Sequence, residues 1–453
     1  MISVRDVWEG TGSVLVASRG DVSATFTNPA IDSRSVQPGD LFFALHGEHQ
    51  DGHDFVADAL SRGAAGAVVE RPMEVVDGAS LFHTSDSLEA LHGIATQQRA
   101  RSNARVIGVT GSVGKTTCKE IVAAVLGRKY EVLKSEANYN TDIGIALTLM
   151  QLTPEHERAV LELAMYDRGE IALTAQIAAP SVGIVTNIGP VHLERVGWMG
   201  GIVEAKAELV EALSADGLAV LNGDDARTAT LARRTRARTV LFGMSEQCNV
   251  RGLDVQSRGL DGISFRIEAD GASVDVSCPL PGKHHVYPAL AAAAVALDDG
   301  ISLAEIAEAL SEVRLDQRLN VIAGPSGSTI IDDSYNASPA AMLAALDLLR
   351  ELDGRRIAVL GDMRELGAAE EEGHRSVGRR AAECCDVLFV VGDCAEITAA
   401  AAREVGHADV RTLSVGDEGT QELRSELREG DYALIKASRA LELEKLVKAL
   451  VAS

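Results

Sequence analysis

The segment that most constrains this chain is a glycine-rich turn between an apolar strand and a helix. Residues 105–110 form an apolar run, and the turn that follows it consists of Gly111, Ser112, Val113, Gly114, Lys115, Thr116 and Thr117. Glycines let backbone N–H groups close around phosphates, so these seven residues are expected to bind a nucleotide. The Lys115 ammonium would reach the β- and γ-phosphates, and the Thr116 hydroxyl would hold magnesium. The general P-loop pattern has glycine where this chain has Val109, so the strict motif departs by one residue while its GxxGKTT core is intact.

The pattern of apolar runs predicts the fold class. Apolar runs alternate with helical patterns through the middle and C-terminal parts of the chain, at residues 159–164, 182–188, 218–222, 329–331, 357–360, 387–391 and 432–435. This alternation indicates parallel sheets covered on both faces. We predict an α/β protein of three domains. A smaller N-terminal α/β domain (1–103) precedes a central P-loop domain with a doubly wound parallel sheet (104–315) and a C-terminal Rossmann-like domain (316–453).

Composition and charge exclude several classes of protein. The 453 residues include 66 acidic and 43 basic side chains, a net charge of −23, which makes nucleic acid a poor partner. The longest apolar stretch, residues 287–297, is far short of the roughly 20 residues that span a bilayer. The N-terminal residues show no export signal, and the six cysteines form no CxxC pair. We therefore expect a cytoplasmic protein with reduced thiols and no membrane span.

Polar residues end many of the predicted strands: Glu162, Asn187, Asp224, Asp332, Asp362, Asp393 and Lys436. Ligands bind at the carboxyl ends of strands in open parallel sheets. An aspartate there is alternatively a helix cap or a turn former.

Two residues at this predicted sheet edge, Glu162 and His192, are candidate metal ligands. Glu162 lies within an otherwise apolar strand, where an unpaired carboxylate is costly. It therefore either pairs with a base or faces a cation, and a P-loop in the same sheet favours magnesium. His192 follows the next strand, and it is either a polar surface residue or a ligand at the same edge.

Lys206 is the least ordinary single residue. It lies on the apolar stripe of a helix with Ile202, Leu209 and Leu213. One interpretation is that the side chain extends along the helix so that its ammonium reaches water. The other is a desolvated lysine that is paired or chemically modified.

Candidate ligand-binding residues also occur in the third block. Asp333 follows a predicted strand, where acidic residues suit ribose hydroxyls. Lys436 and Arg439 follow the last predicted strand and suit phosphate or carboxylate.

Taken together, the motifs resemble the Mur ligases of peptidoglycan synthesis. The segments that carry the resemblance are TGSVGKTT, LELAMYDRGEI, TNIGPVHLERVG, EAKAELVEAL, LPGKHHVYPALAAA, DDSYNASPAAMLAAL, GDMRELG and LIKASR. The N-terminal segments around Asp32 to Arg34, Pro38 to Gly47 and Asp51 to Phe55 resemble the family's UDP-substrate domain. The resemblance implies an ATP-dependent ligase that adds D-alanyl-D-alanine to UDP-N-acetylmuramoyl-tripeptide through an acyl phosphate. It further implies ATP and Mg²⁺ as cofactors, small-molecule substrates and a monomer.

The resemblance also implies residue roles. Lys115, Lys206, His192 and Asn140 would be catalytic, with Asn140 near the reacting carboxylate. Thr116, Glu162, His192 and Lys206 would serve magnesium, with Lys206 carbamylated. Arg318 and Asp333 would hold the nucleotide from the third domain, and Ser33 and Arg34 would contact the UDP-sugar.

Some positions depart from the family pattern. The usual HNxxN segment has His285 and Pro288 in place of its asparagines, which puts the adenine contact in doubt. Thr141 replaces a second asparagine after Asn140, and Ala437 replaces the glycine of KGSR.

Two alternatives remain open. One is a Mur-type ligase with a different carboxylate or amine, and the lost asparagines are its best support. The other is a P-loop switch or regulatory binding protein, which predicts an NKxD-like motif. The nearest match, Asn222-Gly223-Asp224-Asp225, lacks the lysine.

Overall fold

The structure is a computed structural model that describes residues 1–47, 49–73, 78–136, 138–191, 193–315 and 319–452. It contains three main sheets, one in each of three successive domains. The boundaries at 103/104 and 315/316 stay a prediction. Among the described residues, no helix is both long and apolar enough to cross a membrane.

The N-terminal domain is built on a five-stranded sheet. The domain has seven strands: β1 Ile2–Ser3, β2 Leu15–Arg19, β3 Thr25–Phe26, β4 Pro29–Ala30, β5 Leu41–Phe43, β6 Gly66–Val69 and β7 Ser80–Thr84. Its helices are α1 Val4–Thr11, α2 Val56–Ser61 and α3 Ser87–Arg101. The main sheet has the order β2-β7-β6-β5-β4 and is parallel except for β2, while β1 and β3 form a separate antiparallel pair.

The central domain carries nine strands in one sheet. They are β8 Arg105–Thr110, β9 Val132–Lys134, β10 Arg158–Glu162, β11 Val182–Val185, β12 Leu218–Asn222, β13 Arg238–Gly243, β14 Val250–Ser257, β15 Ile263–Ala269 and β16 Ala272–Cys278. The helices are α4 Lys115–Leu126, α5 Asp142–Leu149, α6 Glu170–Ala178, α7 Leu193–Val196, α8 Met199–Glu211, α9 Ala226–Thr230, α10 Val286–Asp298 and α11 Leu303–Glu312.

The strand order places the carboxyl end of β8 at a topological switch point. The order is β16-β15-β14-β13-β12-β11-β8-β10-β9, so the chain leaves β8 toward one edge and then continues on the other side. β9 to β14 pair in parallel, whereas β15 and β16 add antiparallel hairpins that the prediction of a parallel sheet did not include. In β15, buried residues alternate with more accessible ones, as in a sheet with one solvated face.

The C-terminal domain repeats the doubly wound pattern. Its strands are β17 Asn320–Ala323, β18 Thr329–Asp332, β19 Arg356–Gly361, β20 Val387–Val391, β21 Val410–Thr412 and β22 Tyr432–Lys436, and its helices are α12 Pro339–Arg350, α13 Glu370–Cys384, α14 Ala395–Glu404, α15 Asp417–Glu426 and α16 Leu443–Val451. The order β17-β18-β22-β19-β20-β21 is parallel apart from the edge strand β17. The last strand, β22, returns to lie between β18 and β19, so its carboxyl end is near the middle of the sheet.

The hydrophobic cores show how the domains are joined. One buried cluster runs from Ile2 and Phe26 of the N-terminal domain into Val106 and Leu161 of the central domain. The two faces of the C-terminal sheet have clusters of their own, and among the described residues Leu260 is the one hydrophobic side chain of the central domain that packs against either of them. The first two domains consequently form one body, and the third faces it across a cleft.

Candidate active site

The P-loop connects β8 to α4, and its conformation requires glycine at two positions. Gly111 has φ +151°, and a Cβ there would lie 1.9 Å from Thr186 Oγ1. Gly114 has φ +81° and precedes α4, whose first turn has neither a side-chain cap nor an acidic residue. The amides at the start of α4 are thus left to an anion, and the helix dipole favours one there.

Two residues after β11 fix the shape of the loop. Asn187 Oδ1 accepts the Val113 N–H at 2.9 Å, and Asn187 Nδ2 donates to Val113 O at 2.9 Å. Thr186 Oγ1 donates to the same carbonyl at 2.7 Å. We call Thr186 and Asn187 the loop clamp. It explains why the predicted strand 182–188 ends at Val185: the next two residues leave the sheet to hold the P-loop.

Glu162 ends β10 on the other side of β8 and is 3 % exposed. Its Oε1 accepts a hydrogen bond from Asn140 Nδ2 at 3.1 Å, while its buried Oε2 has no hydrogen-bond partner among the described residues. A carboxylate oxygen left unsatisfied beside a P-loop suits a divalent cation. The structure thus brings Asn140 and Glu162 together at the edge where the P-loop lies.

Glu162 is held by a second contact that the sequence did not suggest. Its N–H donates to Ser135 Oγ at 3.1 Å, and the Ser135 carbonyl accepts from the fully buried Lys119 ammonium. Lys119 also pairs with Glu120 at 3.0 Å. Lys119 lies one helical turn after Lys115, a position from which it fixes the strand end that carries Glu162.

Lys206 is 1 % exposed, so the interpretation in which its ammonium reaches water is wrong. It lies on α8, and it makes no hydrogen bond or ion pair with any residue that the structure describes. Burial and the nearby Lys115 charge lower the pKa of Lys206 well below its ordinary value. Its amine is therefore far easier to deprotonate than that of a surface lysine.

The C-terminal domain brings charged groups to the opposite wall of the cleft. Lys436 Nζ, 1 % exposed at the end of β22, lies 2.5 Å from Asp333 Oδ2 and donates to Asn336 O at 2.9 Å. Ser438 is 4 % exposed, and its hydroxyl has no partner among the described residues. The guanidinium of Arg439 lies 5.0 Å from the ring centre of Tyr335.

Two cavities lie between these walls. The larger, about 620 Å³, is lined by the P-loop, the loop clamp, the first turn of α10, Asp333, Lys436 and part of α12. The smaller, about 410 Å³, is lined by Lys115, Thr116, Asn140 and Glu162 on one side and by the loops at 335–338, 364–366 and 438–440 on the other. The P-loop is common to both. The arrangement therefore suits a phosphate-bearing ligand that reaches from one cavity into the next.

Two of the departures from the family pattern, at His285 and Pro288, fall on the larger cavity, whereas Thr141 lines the smaller one. His285 Nδ1 lies 2.7 Å from Pro281 O. The rings of His284 and His285 are 4.2 Å apart, and both side chains line the larger cavity. They form its wall beside the first turn of α10.

Several strand-end residues have structural roles. Asp224 accepts the N–H groups of Met244 and Ser245, and Asp362 accepts those of Asp393 and Cys394. Asp332 accepts the Ser334 N–H at 3.0 Å. These three carboxylates hold turns, which is the alternative that the sequence left open.

The remaining predicted residues lie apart from the cleft or outside the described residues. Ser33 is buried in a short turn of the N-terminal domain, where its side chain donates to Asp58. Arg34 is exposed and pairs with Asp32 at 2.6 Å, an interaction that lowers the pKa of Asp32 to about 2. Neither residue lines the two cavities. His192 and Arg318 lie outside the residues that the structure describes.

Three kinds of comparison give consistent results. The Mur ligase family catalytic domain matches residues 25–110, the Mur ligase middle domain residues 109–296, and the Mur ligase glutamate ligase domain residues 317–439. A UDP-N-acetylmuramoyl-tripeptide–D-alanyl-D-alanine ligase of Synechocystis is 38% identical over 94% of this chain and 92% of its own.

Solved structures agree in fold. A crystal structure of MurF from Acinetobacter baumannii has a TM-score of 0.89 and 31% identity, covering 100% of this chain and 99% of its own. MurF ligase from Thermotoga maritima in complex with ADP has a TM-score of 0.80 and 29% identity, covering 93% and 96%.

Proposed function

The chain belongs to the Mur ligase family, and from that premise we propose that it joins D-alanyl-D-alanine to UDP-N-acetylmuramoyl-tripeptide while ATP is cleaved to ADP and phosphate. The observation that carries the proposal is the pair of cavities that share one P-loop across the interdomain cleft. Relatives also support the proposal. The chain is similar over more than nine tenths of its length to UDP-N-acetylmuramoyl-tripeptide–D-alanyl-D-alanine ligases, and one MurF ligase has been solved with ADP.

The reaction follows from the two cavities. The nucleotide occupies the larger cavity, with its phosphates at the amides of Gly114 and α4. A carboxylate oxygen of the tripeptide attacks the γ-phosphorus, the bond to ADP breaks, and an acyl phosphate forms. The amine then attacks the acyl carbon, phosphate leaves, and the nitrogen loses a proton. Lys115 stabilises charge on the transferring phosphoryl group, and the closed cleft keeps water from the acyl phosphate.

Magnesium fits the residues present. The unsatisfied, buried Oε2 of Glu162 and the hydroxyl of Thr116 are oxygen ligands beside the P-loop. His192 is a further proposed ligand. When bound, the ion neutralises phosphate charge. Asn140, through its contact with Glu162, orients the carboxylate that holds it.

Lys206 is proposed to carry a carbamate. Because its pKa is lowered, the amine is available to add CO₂, with the new N–C bond replacing an N–H bond and one proton released. The product is an anion next to Lys115, where an ammonium would be repelled. An anion there would also serve a second magnesium.

Asp333 and Arg318 are proposed to hold the nucleotide from the C-terminal side, and Ser33 and Arg34 to contact the UDP-sugar in the N-terminal domain. We propose that the protein acts as a monomer. A cytoplasmic location is supported by six cysteines that are all buried and unpaired.

Mass spectrometry of the products tests this function against its alternatives. The protein is incubated with ATP, UDP-muramyl tripeptides that end in diaminopimelate or lysine, and a panel of amino acids and dipeptides. We expect a product heavier by one D-alanyl-D-alanine minus water. If the protein uses only another amine, it is a Mur-type ligase with a different acceptor substrate. His285 and Pro288 do not favour that outcome, because they line the nucleotide cavity.

The contacts of Asn222 and Asp224 give the switch alternative no support. Asn222 Nδ2 donates to Thr186 O at 2.9 Å, and Asp224 holds the turn at Met244 and Ser245. These residues brace the sheet edge and leave no base-reading motif at that position.

A further inference from the structure

Charged side chains of both signs from the C-terminal domain line the smaller cavity. Glu365 and Arg439 both line it, and they belong to different loops, one after β19 and one after β22. The same cavity contains Lys115, Asn140 and Glu162 of the central domain. A ligand held between the two charges therefore lies beside the group that transfers phosphate.

Arg439 is the cation of the C-terminal domain that lines this cavity and has no carboxylate partner among the described residues. Its guanidinium lies over the ring of Tyr335, and it forms no ion pair with any carboxylate that the structure describes. The preceding residue, Ser438, has a buried hydroxyl without a partner among the described residues, and it lines the same cavity. Two adjacent donors without an acceptor suit a carboxylate.

Glu365 is the anion. Its φ of +65° is strained for a side chain with a Cβ, so the fold holds this residue in an unfavourable backbone conformation. Glu365 and Tyr166 of the central domain line the same cavity, so the Glu365 side chain faces the central domain across it. The neighbouring Arg364 is turned toward its own domain, 2.8 Å from Asp393 and 3.0 Å from Asp362.

We propose that the smaller cavity binds the acceptor as a zwitterion, with Glu365 receiving its ammonium and Arg439 and Ser438 receiving its carboxylate. This inference rests on the proposed function. A free dipeptide carries both charges at neutral pH, and the two side chains offer the complementary pair. Glu365 and Arg439 are then specificity-determining residues that select a short acceptor with a free carboxyl end.

Steady-state kinetics of the full chain tests the inference. In Glu365→Gln and in Arg439→Gln, the KM for D-alanyl-D-alanine should rise roughly ten- to a hundredfold, the range for one lost charge-assisted hydrogen bond. The KM values for ATP and for the UDP-tripeptide should stay within about twofold. Glu371→Gln is the matched control, because Glu371 is exposed in the first turn of α13 and lies outside the cavity.

An analogue of the acceptor tests the same inference on the unmodified protein, so the result does not depend on whether a variant folds. The C-terminal amide of D-alanyl-D-alanine lacks the carboxylate, so the unmodified protein should use it roughly ten- to a hundredfold less well. Arg439→Gln should use acid and amide almost equally. Equal use of both by the unmodified protein, or an unchanged acceptor KM in both variants, overturns the inference alone. Failure of the unmodified protein to use any dipeptide overturns the proposed function as well.

Discussion

Two lysines of the central domain are almost completely buried, and the structure provides a partner for only one of them. Lys119 is hydrogen-bonded to the Ser135 carbonyl and paired with Glu120. Lys206 has no partner among the described residues. A buried amine without a counter-charge is stable when neutral, and a neutral amine reacts with CO₂. The burial of Lys206 is in this way a condition for its proposed modification.

Removing the Lys206 amine should abolish the reaction. In Lys206→Ala, we expect turnover in a phosphate-release assay to fall by about a hundredfold or more, because the anion beside Lys115 is lost. Added acetate or propionate should restore part of the turnover by entering the space that the side chain leaves. Lys448→Ala, at an exposed position of α16, is the control. Full activity of Lys206→Ala would rule out a role in catalysis.

Functional residues can be predicted from the sequence where a charged residue interrupts an apolar pattern. Glu162 and Lys206 are identifiable for that reason, and both are buried. Glu365 cannot be identified in this way, because no local sequence pattern predicts a glutamate with a left-handed backbone conformation. Lys119 was equally hidden, since a helix next to a P-loop commonly contains lysines on its surface.

The residues that follow the carboxyl ends of the strands form most of the candidate active site. The predicted parallel strands are present, but the run at 182–188 is shorter as a strand because Thr186 and Asn187 bind the P-loop. The strand at Asn320–Ala323 is not predicted from the sequence, because four residues are too few for a periodic pattern to stand out. Tertiary contacts, which no local pattern records, set these limits.

The loop clamp should matter for nucleotide binding. Asn187→Ala removes both hydrogen bonds to Val113 and leaves the loop less ordered. We expect the KM for ATP to rise about tenfold and the free energy of unfolding to fall by about 1–3 kcal/mol. Asn249→Ala is the control, since it loses one bond to the Leu241 N–H at another strand of the same sheet. An ATP KM within twofold of the unmodified protein would show that the loop holds its shape unaided.

The first turn of α10 should discriminate only weakly between adenine and guanine nucleotides. Pro288 has no polar side-chain group, and His285 uses one ring nitrogen on Pro281 O. Losing one good hydrogen bond costs about two- to tenfold in binding, so GTP should support the reaction within about tenfold of ATP. The measurement compares kcat/KM for the two nucleotides, then repeats it with His285→Asn. A preference for ATP above roughly a thousandfold would show that other groups read the adenine.

At the scale of the whole molecule, the domains are joined unequally. The N-terminal and central domains share a buried cluster, whereas among the described residues the C-terminal domain has hydrophobic clusters of its own. Its contacts with the central domain include Leu260 and the Lys283–Glu351 pair at 3.4 Å. A domain with a separate core suits opening to admit substrates and closing for reaction.

Small-angle X-ray scattering measures this closure. We expect the radius of gyration to fall when a non-hydrolysable ATP analogue and the UDP-tripeptide are both added. Lys283→Met breaks the bridging pair and should increase the radius of the ligand-free protein, while Lys445→Met, whose partner Glu442 lies in the same domain, should not. Identical scattering with and without ligands would show that the cleft stays as it is throughout the reaction.

The most direct test of the account is the dependence of phosphate release on both co-substrates. An acyl phosphate forms only on a bound carboxylate, and its phosphate is released only when the amine attacks. With ATP, UDP-muramyl tripeptide and D-alanyl-D-alanine together, we predict continuous phosphate release matched one for one by ligated product. With either co-substrate omitted, we predict release near the background rate. Robust turnover of ATP in the absence of both tripeptide and dipeptide would contradict the ligase reaction and identify the P-loop domain as a free-standing ATPase.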